Sequence, residues 1–183
     1  GTAYNLPITL PSSRPVQQDL TNDPLKKTEN LEPMDRQIDF YSTSINKLAS
    51  LDSRYLSEII LYENRVKLLL DCSTGGNLYQ NRMGRITPVK NSITAEQVKI
   101  EEALALISET RAKLNASNSS NEQRSIFTAF MALVDKGRLP SLQAEGAREV
   151  EYTQNRFSAD QDTELSQNIS ACEQERAQRN QSN

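Results

Sequence analysis

The stretch "PMDRQIDFYSTSINKLASLDSRYLSEIILYENRVKLLLDC", residues 33–72, decides the fold. Met34, Ile38, Tyr41, Ile45, Leu48, Asp52, Tyr55, Ile59, Tyr62, Val66 and Leu69 follow one another at alternating steps of four and three. Ten of these eleven positions are apolar or aromatic. A seven-residue repeat kept up this long holds one stripe of a helix against its neighbours, as in helices packed lengthwise. Pro33 suits the first helical turn, where a missing N–H costs nothing. Gly75 and Gly76 suit the stop. A helix of about 40 residues spans ~60 Å.

The one violation is Asp52. It reads as a solvated gap in the stripe, with a buried acid or a register-setting polar residue as the other readings. Tyr41, Tyr55 and Tyr62 share the seam and read as core residues with their hydroxyls at the bundle edge. A ligand slot between them is the competing reading.

The composition agrees with a thin core shared along long helices. Apolar residues are 36% and aromatics 5% of the 183 residues, and tryptophan is absent. Both the apolar and the aromatic share are low for a thick globular core. The net charge of −3 gives no field to draw in nucleic acid. No stretch approaches the roughly 18 apolar residues of a membrane span. With no histidine, a Ser-His-Asp or Cys-His pair and an imidazole zinc site are excluded. Dinucleotide and phosphate-loop signatures are missing too. The expectation is a protein without catalytic activity, cofactor or metal.

Outward from the first helix, residues 1–32 hold four of the seven prolines and read as an extended or disordered tether. Residues 73–92, "STGGNLYQNRMGRITPVKNS", read as a long connection. Its Arg82, Arg85 and Lys90, with Tyr79 nearby, are candidates for contact with a partner or an anion. A second helix is expected from about residue 95 to 114, opened by a capping box at Thr94 and Gln97. The turn-rich "NASNSSN" follows, and Ser119 with Glu122 opens a third helix to about residue 136. A last helix is expected over 141–176, carrying eight acids and three bases. Its stripe steps by eight from Phe157 to Leu165, as a stutter would produce. Residues 179–183 read as a frayed tail after a bundle over 33–178.

Two cysteines remain. Cys72 lies at a helix C-terminus beside Asp71, where the dipole disfavours a thiolate, so a nucleophile is not expected. Two buried free thiols are one reading. The favoured one is a disulfide between Cys72 and Cys172, stapling the last helix, whose apolar face is the poorest. Such a bridge requires the first and last helices to end together.

The predicted fold is therefore all-α: an elongated antiparallel bundle of three long passes, the middle one broken into two helices. The predicted function is an exported, periplasmic or extracellular, helical interaction or assembly protein. It would bind a protein partner and not nucleic acid, with a lipid anchor upstream of Gly1 and oligomerisation through helix packing both compatible with it. The alternatives are an intracellular coiled-coil subunit of a larger complex, or a small-ligand carrier using the tyrosine seam.

Overall fold

In the computed structural model, the backbone is described for residues 24–182. The chain is all-α, with no strand among the described residues. Among the described residues five α-helices follow in order: α1 (Pro24–Val66), α2 (Gly76–Ala116), α3 (Ser120–Asp135), α4 (Ala144–Gln154) and α5 (Thr163–Ser182). The described residues divide into two compact units. Unit 1 combines the part of α1 up to Ala49 with Val98–Gly146. Unit 2 combines Ser50–Gln97 with the chain from Ala147.

The heptad stripe of α1 is buried along its whole length, every member at 0–1% exposure. In unit 1 its Met34–Leu48 portion packs with Ile100, Ile107 and Leu114 of α2 and with Phe127, Phe130 and Val134 of α3. In unit 2 its Tyr55–Leu69 portion packs with Ile86 and Ile93 of α2 and with Phe157, Leu165 and Ile169.

Directions follow from pairings. In unit 2, Glu63 meets Lys90 and Asp52 meets Glu96, so α1 and α2 run antiparallel. Tyr55 with Asn155, Tyr62 with Asp162 and Cys72 with Cys172 are each 100 residues apart. A constant separation means that the segment after Ala147 runs parallel to α1. In unit 1, Ser117–Ser119 closes a turn while Lys99 reaches the Gly137 carbonyl, so α2 and α3 form an antiparallel hairpin.

These pairings correct the predicted order of breaks. Residues 95–114 and 121–135 are helical, but α3 turns back along α2 and does not extend it. The reason is local: Ser119 is in an extended conformation and its hydroxyl accepts from the Glu122 N–H at 3.3 Å, capping a new helix. Residues 76–92 are helix, not connection. Pro88 is accommodated inside α2, and Thr94 is no cap but a mid-helix residue whose hydroxyl donates to the Lys90 carbonyl. The predicted last helix is interrupted at residues 155–162, with a short 3₁₀ turn at Ala159–Gln161. There the eight-residue step marks a true break, and Asp162 caps α5 by accepting from the Leu165 N–H at 3.1 Å.

At the N-terminal end, α1 begins at Pro24, so residues 24–32 are helical and Pro33 lies inside the helix. The rest of the predicted tether, residues 1–23, lies outside the described residues. At the other end, α5 continues to Ser182, so the predicted frayed tail is helix except for residue 183, which lies outside the described residues. No helix among the described residues is long and apolar enough to cross a membrane.

Candidate functional site

The chemistry of the molecule concentrates in unit 2. The turn after α1 sets one boundary. Asp71 takes a left-handed φ of 70°, a conformation that Asp tolerates better than most residues. Gly75 passes so close to Leu69 that an added Cβ would lie 2.9 Å from the Leu69 carbonyl oxygen. The carbonyls left open at this helix end are taken up by α5: Arg176 donates to Leu68 and Leu70, and Arg179 to Asp71. Cys72 and Cys172 are joined beside them, with Cα atoms 5.5 Å apart.

Asp52, expected at a solvated gap, is completely buried. Arg148 of α4 enters the core at 5% exposure and explains how an acid is tolerated there. Its Nε lies 3.1 Å from Asp52 Oδ1, but that N–H is directed to Glu96 at 2.9 Å. Nη1 donates to Glu151 and Nη2 to the Ser92 hydroxyl. Asp52 is left without a directed donor. Burial first, and then the hydrogen bond and charge of Glu96, push its carboxyl up to about 8. At neutral pH it therefore holds a proton.

The three seam tyrosines are packed as core residues. Tyr41 donates to the Pro140 carbonyl in unit 1, and Tyr55 to the Asn155 carbonyl and Tyr62 to the Asp162 carboxylate in unit 2. Burial, and then the Asp162 hydrogen bond, raise the Tyr62 hydroxyl to about 12.

The interruption between α4 and α5 opens two neighbouring cavities in unit 2. The first is a cleft of about 310 Å³ lined by Tyr62, Arg82, Arg85, Arg156, Ser158 and Asp162. Arg82 and Arg85 sit three residues apart on one face of α2, and Arg156 comes from the interruption. Arg82 forks onto Asp162 at 2.9 and 3.1 Å and reaches Glu164 at 2.8 Å. Burial opposes ionisation of Asp162, but the bonds from Arg82, Tyr62 and the Leu165 N–H prevail and hold its carboxyl at about 2. Arg156 rests on the Tyr152 ring, 4.4 Å from its centroid, with Nε directed to Glu58. Arg85 lies over the Phe157 ring at 4.7 Å and makes no ion pair among the described residues.

The second cavity is a groove of about 690 Å³, with Leu61, Leu68, Phe157 and Ala159 among its walls together with Arg65 and Arg156 and the acids Glu58 and Asp160. Leu61 is 67% exposed and Leu68, seven residues on, 38%. Tyr62, Arg156 and Ser158 belong to both cavities.

Of the residues proposed from sequence for a partner or anion, Arg82 and Arg85 come together at the cleft. Lys90 is engaged by Glu63 at 2.8 Å, and Tyr79 packs against the unit 2 core. They stand on a helix and not on the loop expected for them. Arg156, Phe157 and Asp162 were not legible as site residues, because a continuous last helix left no reason for them to converge. The "DTEL" at 162–165, an N-cap acid with a second acid in the first turn, is the signal that marks the break. Comparisons of this chain with protein-family models, with curated proteins and with solved structures gave no match.

Proposed function

We propose that this chain is an exported helical interaction protein without catalytic activity, and that the unit 2 groove receives an apolar segment of a protein partner that carries an acidic residue. The observation that carries the reading is the pair Leu61 and Leu68, exposed at heptad spacing on the wall of an open apolar groove. Single exposed leucines are ordinary, but a pair lining a groove marks an interaction surface. Arg65 on the groove supplies the complement for an acid on the incoming segment. The Cys72–Cys172 bond supports export, since such bonds persist in oxidising compartments.

A photo-crosslinker placed at Leu61 in the native host tests the reading, with the same probe at Val98, exposed in unit 1, as control. The expected result is an adduct with one partner, specific to Leu61, whose crosslinked peptide is apolar with a flanking Asp or Glu. Adducts only with a second copy of the chain, or the same adducts from Val98, would overturn it. Export is tested by trapping thiols during isolation from that host. Two free thiols in the native protein would favour the intracellular coiled-coil subunit instead.

A further inference from the structure

We infer that the arginine-lined cleft of unit 2 binds a phosphate group, held by the guanidinium of Arg85 together with the outer nitrogens of Arg156 and the hydroxyl of Ser158. The inference does not depend on a protein partner for the groove.

Three observations carry it. Arg85 lines the cleft, and no acid among the described residues neutralises it, although three carboxylates cluster around the other two arginines. Its guanidinium carbon lies over the Phe157 ring, 4.7 Å from the centroid. No hydrogen bond to another described residue takes up its N–H groups, which recognise oxyanions in a fork. Arg156 is likewise committed to Glu58 only through Nε, so its two Nη groups remain as donors.

Both guanidiniums are held in place by aromatic faces and need little ordering when a ligand arrives. Arg82 adds positive charge behind them but is already forked onto Asp162. Asp162 itself also lines the cleft. Its repulsion is blunted because Arg82 and Tyr62 occupy its oxygens.

The geometry favours phosphate over carboxylate. Donors arrive from two separate segments, α2 and the α4–α5 interruption. A planar carboxylate carries two oxygens whose acceptor sites lie in one plane. A tetrahedral phosphate presents three terminal oxygens and can engage two guanidiniums and a hydroxyl at once. At about 310 Å³ the cleft is roomier than a bare ion requires, so a phosphate monoester is the expected source, its organic part lying toward Phe157 and the groove.

The test is calorimetric titration of the intact, disulfide-bonded protein at low ionic strength with phenyl phosphate, inorganic phosphate and acetate. Saturable binding of a phosphate species is expected, with acetate much weaker. Tighter binding of phenyl phosphate identifies a monoester as the source, and equal or tighter binding of inorganic phosphate identifies the free ion. Arg85→Gln should weaken binding at least ~10-fold, the scale of a charge-assisted hydrogen bond. Its melting temperature should change little, because Arg85 is exposed, pairs with no acid among the described residues and gives up a single ring contact with Phe157. Arg85→Lys should recover only part of the affinity, a point charge replacing a fork. Lys47→Gln, the same charge change on an exposed residue of unit 1, should do nothing. Leu61→Ala, which adds no charge beside Arg156, should leave the affinity for inorganic phosphate intact, so failure of the groove reading and failure of this one are separable. Absence of saturation by either phosphate, acetate binding as well as phosphate, or equal effects of Arg85→Gln and Lys47→Gln would each overturn the inference.

Discussion

The two units bury the same stripe of α1 and close around it by different means. Unit 1 is closed by area: Phe127, Phe130, Met131, Val134 and Leu139 meet Met34–Leu48. Its directed bonds across helices, Tyr41 to Pro140, Lys99 to Gly137 and Arg111 to Asp39, are few. Unit 2 lacks such a partner face. After Ala147 the buried apolar residues are Phe157, Leu165, Ile169 and Cys172, spread over sixteen positions of sequence. What holds this segment is a buried arginine among carboxylates, tyrosine hydroxyls on carbonyl and carboxylate, arginine caps and a covalent bond. A segment poor in apolar side chains can still be ordered when its polar groups are matched one by one, at the cost of tolerating few changes.

The largest effects should separate the two kinds of closure. Phe130→Ala in unit 1 removes a buried ring edge-on to Tyr41 and should cost ~3–5 kcal/mol. Arg148→Met in unit 2 removes little apolar volume, yet it leaves Asp52, Glu96 and Glu151 facing one another and should cost a similar ~3–5 kcal/mol. Urea unfolding measures both. The distinction lies in pH. The Phe130→Ala loss should be flat with pH, whereas the Arg148→Met loss should grow as Asp52 ionises. A loss below about 1 kcal/mol for Arg148→Met would mean that unit 2 is also held by area.

Two carboxylates of unit 2 should then give the wild-type protein opposite pH slopes. Asp52 titrates at about 8 in the folded state against an ordinary 3.8. Its contribution is full below about 3.8 and is lost as pH rises through about 8. Asp162 titrates at about 2 against the same 3.8. Its contribution is present above 3.8 and is lost as pH falls through about 2. Asp52→Asn should therefore flatten the decline of stability between pH 4 and 8 while keeping the loss below pH 4. Asp162→Asn should do the reverse. A decline between pH 4 and 8 that survives Asp52→Asn would assign it to another group.

Next in size is the staple. Replacing both cysteines by serine should cost ~2–4 kcal/mol. Hydrogen exchange should rise first over α5, residues 163–182, whose attachment to the end of α1 combines the bond with Arg176 and Arg179. Amides of α3 in unit 1 should keep their protection. Uniform loss of protection in both units would mean that the bond supports unit 1 as much as unit 2.

The same difference explains what the sequence made legible. The α1 stripe was readable in full because seven-residue spacing depends only on which side chains are apolar, and every position read as core is buried. The cysteine pairing was readable from the poverty of the last stripe. Residues 76–92 were misread because Gly84 and Pro88 carry strong local signals against helix. Packing of Ile86 and Ile93 on the α1 stripe outweighs them. Asp52 was misread as solvated because its partner, Arg148, is 96 residues away and looks like a surface arginine until the helices are assembled. The cleft was half readable: Arg82 and Arg85 stand out as cations, but Arg156 and Asp162 join them only through an interruption that neither Gly nor Pro announces.

The smallest effect tests whether unit 1 is closed by area alone. Gln123 of α3 is completely buried, and both polar atoms of its amide lack a hydrogen-bond partner among the described residues, as do those of Gln37 of α1, which is 4% exposed. A buried amide without partners carries its desolvation cost uncompensated. Gln123→Met keeps the length and flexibility of the side chain and removes both polar atoms, so it should stabilise the protein by up to ~1 kcal/mol. The pH dependence assigned to unit 2 should not change. In unit 2 the corresponding replacement, Arg148→Met, is strongly destabilising. One chemical change, polar to methionine at a buried position, is thus expected to carry opposite signs in the two units. A clear loss of stability in Gln123→Met, measured by thermal melting beside the wild type, would show that the amide is satisfied in solution, and unit 1 would then share the directed polar closure of unit 2.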